Sequence, residues 1–213
     1  NEIGERSFSY WRDQSPSKYI FLGSKGKKLA RAIKNSDIFY YTGISAGILD
    51  TKQKKDLIHI GSTAVTCGFD FNYRSQLHND KKVSQLLFKK ISENVDINFV
   101  SFDDVKELFD IKNPYEVFEI LNDKKNLILI RYKDSIIFKN KQEVIKTVKV
   151  HHGEVVDTTA AGDAFNGSFL ALINNDKNIS IEENILKSHS VTREVIKHKG
   201  AIISNKNMPN INT

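Results

Sequence analysis

With one cysteine, Cys67, the chain is unable to form an internal disulfide. Cys67 lies in the apolar-leaning run TAVTCGF, where a small buried thiol is expected rather than a nucleophile. No apolar run approaches the roughly 20 residues that a membrane span needs. The first residues, NEIGERSF, carry no signal-peptide core, so a reducing cytoplasm is the expected compartment and no membrane partner is expected. A phosphate loop of the form G-x-x-x-x-G-K-[ST] is missing, and GSKGKK has the wrong spacing and reads as a flexible basic loop. Also missing are the dinucleotide fingerprint G-x-G-x-x-G and the hydrolase elbow G-x-S-x-G. Of the 6 histidines, His151 and His152 are adjacent in a polar stretch and the rest are scattered, which favours surface positions over a zinc site.

Charge of one sign is not concentrated either. Lysine and arginine number 32 against 26 acids, a formal charge of +6, but the two signs are interspersed along the chain. Without a basic tail or a basic-aromatic ladder, no nucleic-acid partner is expected. The excess would still attract small anions such as nucleotides or sugar acids. A hydrophobic content of 39% and 213 residues suit one globular domain with a sizeable core.

What is present is an alternation of strand-like and helix-like runs. RSFSYWR alternates as a strand, with Phe8, Tyr10 and Arg12 on one face, and after DQSPS the run KYIFL reads as a second strand of a small sheet. GSKGKKLARAIKNS reads as loop then helix, DIFYYTGI as a buried strand, TKQKKDLIHIGS as a helix and TAVTCGFDFNYR as a strand ending in a charged loop. KKVSQLLFKKIS predicts a helix with Val83, Leu86, Leu87 and Ile91 in register. INFVSF predicts a strand and SFDDVKELF a short helix. Asn113 and Pro114 form a helix start signal, and NLILIRY and SIIFKN are neighbouring strands. Ser180 and Glu183 form a capping box before a last helix that ends near Gly200.

Strand then helix, repeated, means an α/β protein with a mostly parallel sheet, whose ligands bind beyond the carboxyl ends of the strands. Three polar clusters fall there: Asp70, Asn72 and Arg74; Ser101 and Asp104; and Asp157 through Asp163. The last cluster lies in VVDTTAAGDAFNGSF, where Val155 and Val156 suit a strand end and Phe165, Phe169, Leu172 and Ile173 recur at helical spacing. Two readings of Asp163 stay open on residue chemistry alone. It is a favourable acid in a helix's first turn, or it takes a proton from a hydroxyl while N–H groups near Ala161, Gly162 and Asp163 hold a phosphoryl group.

DTTAAGDAFNGSF resembles the C-terminal signature of the ribokinase-like (PfkB) carbohydrate kinases, D-T-x-G-A-G-D, with Ala160 in place of the first glycine. GERSFSYWR, YYTGISAGIL, FDFNYR, VSFDDVKEL and KGAII resemble the 2-keto-3-deoxygluconate kinases of that family in order and spacing. The resemblance implies a ribokinase-like three-layer α/β/α sandwich with a small β lid. Residues 1–213 would be an N-terminally incomplete kinase core, with residues 6–22 in the lid, and poorly soluble or inactive alone. It implies transfer of the ATP γ-phosphate to a sugar acid's terminal hydroxyl, with Asp163 as general base and Ala160, Ala161 and Gly162 as the anion hole. Tyr10, Arg12 and Arg74 would meet the substrate. Asn72, Ser101 and Arg131 would lie on the nucleotide side. Asp104, with Ser101, would organise Mg²⁺, and Asp157 would bind a monovalent cation such as K⁺. A homo-oligomer formed through the lid is expected. A fructokinase- or ribokinase-like relative, or an incompetent fragment that only binds nucleotide, is the alternative. Each polar residue also has a structural reading: Arg12 on the surface, Arg74 paired with Asp70, Asp104 as a first-turn acid.

Overall fold

Four short runs rich in β-branched and aromatic residues, each reached through helical sequence, build the parallel part of the sheet. The computed structural model describes residues 15–121, 126–140, 142, 144–151 and 153–211. The strand expected over 6–12, with Tyr10 and Arg12, lies outside them. In chain order come α1 (Gly23–Lys34), β1 (Ile38–Thr42), α2 (Gly43–Gly47), α3 (Thr51–Gly61) and β2 (Thr66–Asp70). Next are α4 (Lys81–Ser92), β3 (Ile97–Ser101), α5 (Phe102–Phe109), α6 (Glu116–Ile120) and β4 (Leu127–Tyr132). Last are β5 (Ser135–Lys139), β6 (Ile145–Lys149), α7 (Ala161–Asn175) and α8 (Ile181–Val195). The strands run in the order β1-β2-β3-β4-β5-β6. β1 to β4 are all parallel, with Ile38 opposite Thr66, Gly68 opposite Ile97 and Ile97 opposite Leu127. This is the α/β architecture that the alternation of elements predicts.

The described residues form two compact units. The larger, residues 15–133 and 137–147, has a core of Tyr41, Leu57, Phe69, Phe71, Phe88, Val100, Val105, Leu108, Ile128 and Ile130. Helices α2, α3 and α4 start where a side chain satisfies an open backbone donor. Asp50 Oδ1 accepts from the Gln53 N–H at 2.8 Å ahead of α3, and Asp80 Oδ1 accepts from the Val83 N–H at 3.0 Å ahead of α4. Gly43 is needed for space, because a Cβ there would overlap the Phe71 carbonyl oxygen and the Phe88 ring. Cys67 is buried, and burial, with the Asp96 charge, pushes its thiol up to about 12, the inert state expected of it.

The smaller unit, residues 134–136 and 148–211, holds α7 and α8. Phe165, Phe169, Leu170 and Leu172 of α7 and Ile185, Val191 and Val195 of α8 are buried. The buried Asn184 amide donates to the Phe169 carbonyl at 3.1 Å. The Ser180 hydroxyl accepts from the Glu183 N–H at 3.2 Å, as its spacing predicts. In the larger unit the helix start expected at Asn113 and Pro114 is displaced: Asn113 Oδ1 accepts from the Tyr115 N–H at 2.9 Å and Glu116 Oε1 from the Asn113 N–H at 2.7 Å, which closes a turn, and α6 begins only at Glu116 with Tyr115 at its N-cap.

Several expectations need correction, among them GSKGKK, which is not a flexible loop but the first half of α1. Residues 18–22 are not a strand: Pro16–Tyr19 form a 3-10 turn and Gly23 opens α1, because Ser15 caps a turn that Pro16 pre-sets. Val83 and Leu86 are exposed, while the buried side of α4 is Ser84, Phe88, Ile91 and Ser92. β1 is an outer strand of the sheet order and only Tyr41 of it is buried, so it is half-covered rather than fully buried. Val155 and Val156 lie exposed in a loop after β6 instead of ending a strand. α8 stops at Val195, short of Gly200, and Gly200 takes a φ of 88° beyond it.

Candidate functional site

In the larger unit the carboxyl ends of β2, β3 and β4 bring together six of the residues singled out in the sequence. Asp70 ends β2 with its carboxylate almost fully buried, and a buried carboxylate needs partners. Its Oδ2 lies 3.5 Å from the Arg131 guanidinium and 3.5 Å from the Tyr40 hydroxyl, and its Oδ1 accepts from the Asn72 N–H at 3.2 Å. That last bond closes a tight turn at Asn72, whose φ is 33°, a left-handed position that asparagine tolerates. The turn carries the chain to Tyr73, which is buried and stacks on His78 at 5.1 Å and against Phe88 at 5.7 Å. Burial, together with the Lys54 charge, drives the His78 imidazole down to about 4, so the ring packs as a neutral group.

Arg74 follows this anchor. Its guanidinium donates to the Tyr73 carbonyl at 2.6 Å and to Asp104 Oδ1 at 3.2 Å. Asp104 sits in the first turn of α5, directly after Ser101 at the end of β3. Ser101 is in register with Arg131, so the two face each other across adjacent strand ends. Burial pushes the Asp104 carboxyl up to about 6, while Arg74 and Arg131 pull it down and Asp70 adds to the rise. Arg74 therefore pairs with Asp104, not with Asp70, and Asp70 belongs to Arg131.

In the smaller unit, the loop before α7 is organised by Asp157. Its Oδ1 accepts from the Thr159 N–H at 2.8 Å and the Thr159 hydroxyl at 2.7 Å, and its Oδ2 from the Gly200 N–H at 2.8 Å. Ala160 then adopts φ 60° and ψ 15°, and α7 begins at Ala161. The Ala161 N–H donates to the Thr158 carbonyl at 3.2 Å, so it is turned into the loop and away from the role of anion donor. Among the described residues no side chain caps α7. Helix geometry denies the Gly162 and Asp163 N–H groups an acceptor within α7. The exposed Asp163 carboxylate stands in that same first turn.

Three partners of these residues carry little signal in the sequence. Tyr40 looks like any strand aromatic, and Thr159 is the unspecified position of the D-T-x-G-A-G-D pattern. Gly200 falls in KGAII, a segment noted only as a resemblance. A cavity of about 530 Å³ also lies in the larger unit, lined by Ile20, Phe21, Leu29, Phe39, Tyr41 and Leu57 among others. Its lining is apolar side chains with a few hydroxyls, which gives no acid, base or nucleophile for chemistry. Among the described residues no group of three or more His, Cys, Asp or Glu side chains could hold a metal ion, and no helix is long and apolar enough to cross a membrane.

The chain is similar to known kinases over nearly its whole length. It is 29% identical over 218 residues to the 2-dehydro-3-deoxygluconokinase of Escherichia coli (strain K12), covering 98% of this chain and 70% of the relative. It is 32% identical over 208 residues to the enzyme of the same name from Haemophilus influenzae, covering 94% of this chain and 66% of the relative. Among solved structures, a fructokinase with bound ATP from Xylella fastidiosa superposes with a TM-score of 0.70 at 19% identity, covering 97% of this chain and 67% of that one. An aminoimidazole riboside kinase from Salmonella enterica, complexed with aminoimidazole riboside and an ATP analog, gives a TM-score of 0.63 at 21% identity, covering 78% and 58%. These relatives are thus longer than this chain, which spans 58% to 70% of their length. The model of the pfkB family of carbohydrate kinases matches residues 1–208, and the chain belongs to that family.

Proposed function

We propose that the protein transfers the γ-phosphate of ATP to the terminal hydroxyl of 2-keto-3-deoxygluconate, also called 2-dehydro-3-deoxygluconate. The observation that carries this reading is the uncapped N-terminus of α7, with an exposed carboxylate in its first turn. Phosphoryl transfer asks a protein chiefly for positioned donors around the transferring group, and a helix start supplies them. The Gly162 and Asp163 N–H groups face the γ-phosphoryl oxygens. The Asp163 carboxylate takes the proton from the sugar hydroxyl as that oxygen forms its bond to phosphorus, and ADP leaves with the electrons of the broken P–O bond.

The substrate's acid end is held by cations. Arg74 presents a planar guanidinium suited to a carboxylate, and Tyr10 and Arg12 serve the same end. Arg131, Asn72 and Ser101 serve the nucleotide side. Asp104 is the carboxylate suited to Mg²⁺, which takes only one or two protein carboxylates besides phosphate oxygens and water. Its half-buried position at the end of β3, beside Ser101, fits, and the ion, when bound, would supply charge neutralisation at the phosphates. The names of the Escherichia coli and Haemophilus influenzae relatives support a sugar acid over a neutral sugar.

The test is ADP release with ATP, Mg²⁺ and 2-keto-3-deoxygluconate, beside Asp163→Asn. The variant is expected to lose at least about a hundredfold in kcat, the scale of a lost general base, with its thermal unfolding midpoint little changed. Turnover that survives the substitution sinks the role of Asp163. Faster turnover with fructose than with the sugar acid sinks the substrate.

A further inference from the structure

The geometry of the smaller unit points to Asp157 as a positioning residue. We propose that its carboxylate ties the turn ahead of α7 to Gly200, so that the N–H groups and carboxylate of the first turn of α7 are held at a fixed orientation. This rests on the kinase reading above.

Three donors converge on the carboxylate, two N–H and one O–H, at 2.7 to 2.8 Å. Bonds of that length to an ionised acceptor are the strong kind. A second tie runs in the opposite sense. The Ile196 carbonyl, at the end of α8, accepts from the Val156 N–H at 2.8 Å and the Asp157 N–H at 3.0 Å. The loop is therefore stitched to the chain beyond α8 from both sides of one residue, through Asp157 Oδ2 to Gly200 and through its own N–H to Ile196. Gly200 lies 43 residues away in sequence, so the bond is tertiary and not part of a local turn. Its consequence falls on Ala160. Oδ1 closes the turn through Thr159, and the next residue is the one forced to φ 60° before the helix opens.

The same geometry disagrees with a monovalent cation held by Asp157. A cation is surrounded by oxygens that point their lone pairs at it. Around this carboxylate the structure arrays hydrogen-bond donors, which is how a protein holds an anion.

Asp157→Asn separates the two roles. The amide oxygen still accepts from Thr159, but the amide nitrogen then faces the Gly200 N–H, donor against donor. In this variant kcat is expected to fall roughly tenfold to a hundredfold, the cost of a misplacement near 1 Å, while KM for the sugar acid and for ATP stays within about threefold. The loss is expected to be equal in potassium and in choline buffers. Amide hydrogen exchange at Gly200 is expected to quicken by at least about tenfold as its acceptor is lost. Thr159→Val, which removes only the hydroxyl, should give a smaller loss of the same kind.

An unchanged kcat in Asp157→Asn overturns the inference. So does a loss that added potassium reverses, which would make Asp157 a cation ligand. An unchanged exchange rate at Gly200 overturns the tie itself, whatever the activity. If the wild-type protein shows no turnover, the kinase reading falls, and the Gly200 exchange rate still decides whether the tie exists.

Discussion

The Arg74 guanidinium donates to Asp104 Oδ1 at 3.2 Å, linking the loop beyond β2 to the first turn of α5 across 30 residues of sequence. The Arg74 side chain keeps about a third of its surface exposed (35%) and Asp104 only 19%. The acid is thus the anchored partner and the arginine the one that meets solvent. An arginine held from behind loses less freedom on gripping an anion than one swinging in water.

Asp104 makes stability depend on pH in a predictable direction. Burial raises its carboxyl to about 6 in the fold, against about 3.9 in an unfolded chain. The folded state therefore holds the proton more tightly. The stability this contributes is full below about pH 4 and is lost as pH rises through about 6. Asp104→Asn mimics the protonated form at every pH. Relative to wild type, the variant should therefore gain about 1–3 kcal/mol more at about pH 7.5 than at about pH 4.5. Urea unfolding of both proteins at the two pH values measures this, since other titrations cancel in the difference. A constant difference between the proteins would mean that Asp104 titrates as it does in water.

The register of α4 is testable by a pair of truncations. Phe88 is fully buried, and its ring lies 5.6 Å from Phe69, 5.4 Å from Phe71 and 5.5 Å from His78. Phe88→Ala should cost about 3–5 kcal/mol. Leu86 is 70% exposed, and Leu86→Ala should stay within about 0.5 kcal/mol. Because Phe88 also backs Tyr73, which fixes the Arg74 loop, Phe88→Ala should raise KM for the sugar acid as well. Denaturant midpoints for the two variants decide the matter, and a large loss at Leu86 would put the other face of α4 inward.

These contrasts mark where the sequence was legible. The Ser180–Glu183 pair lies within one helical turn, so the residues that specify it are neighbours in the text as well as in space. The parallel sheet followed from strands alternating with helices, and the polar strand ends from the same logic. Helix α4 misled because Val83, Leu86, Leu87, Phe88 and Ile91 offer overlapping apolar stripes. What chooses between them is the aromatic set of Phe69, Phe71 and Tyr73, supplied by another element. The same holds for partners: Arg74 found Asp104 rather than Asp70, and Asp157 found Gly200. Each such bond spans 30 or more residues, a distance at which spacing carries no information.

Ala160 carries a strain that one substitution should relieve. Its φ of 60° and ψ of 15° lie in the left-handed region, where a Cβ crowds the following carbonyl at a cost of about 1–2 kcal/mol. Glycine, the usual residue of the family pattern at this place, has no such cost, but it adds about 0.5–1 kcal/mol of unfolded-state entropy. The balance favours Ala160→Gly by about 1 kcal/mol at most, or a midpoint higher by about 2–4 °C in a chain of this length. Ala160→Val should move the other way by more, since a β-branched residue fits this region worst. The kinase reading adds a second expectation. Glycine preserves the backbone path into α7, so kcat should not fall, whereas valine distorts the turn that Asp157 closes and should lower kcat with little change in KM. Thermal unfolding and steady-state kinetics on the three side chains test both expectations. A lower midpoint for Ala160→Gly would show that the residue ahead of α7 is not held left-handed at all, and the turn geometry argued for Asp157 would lose its consequence.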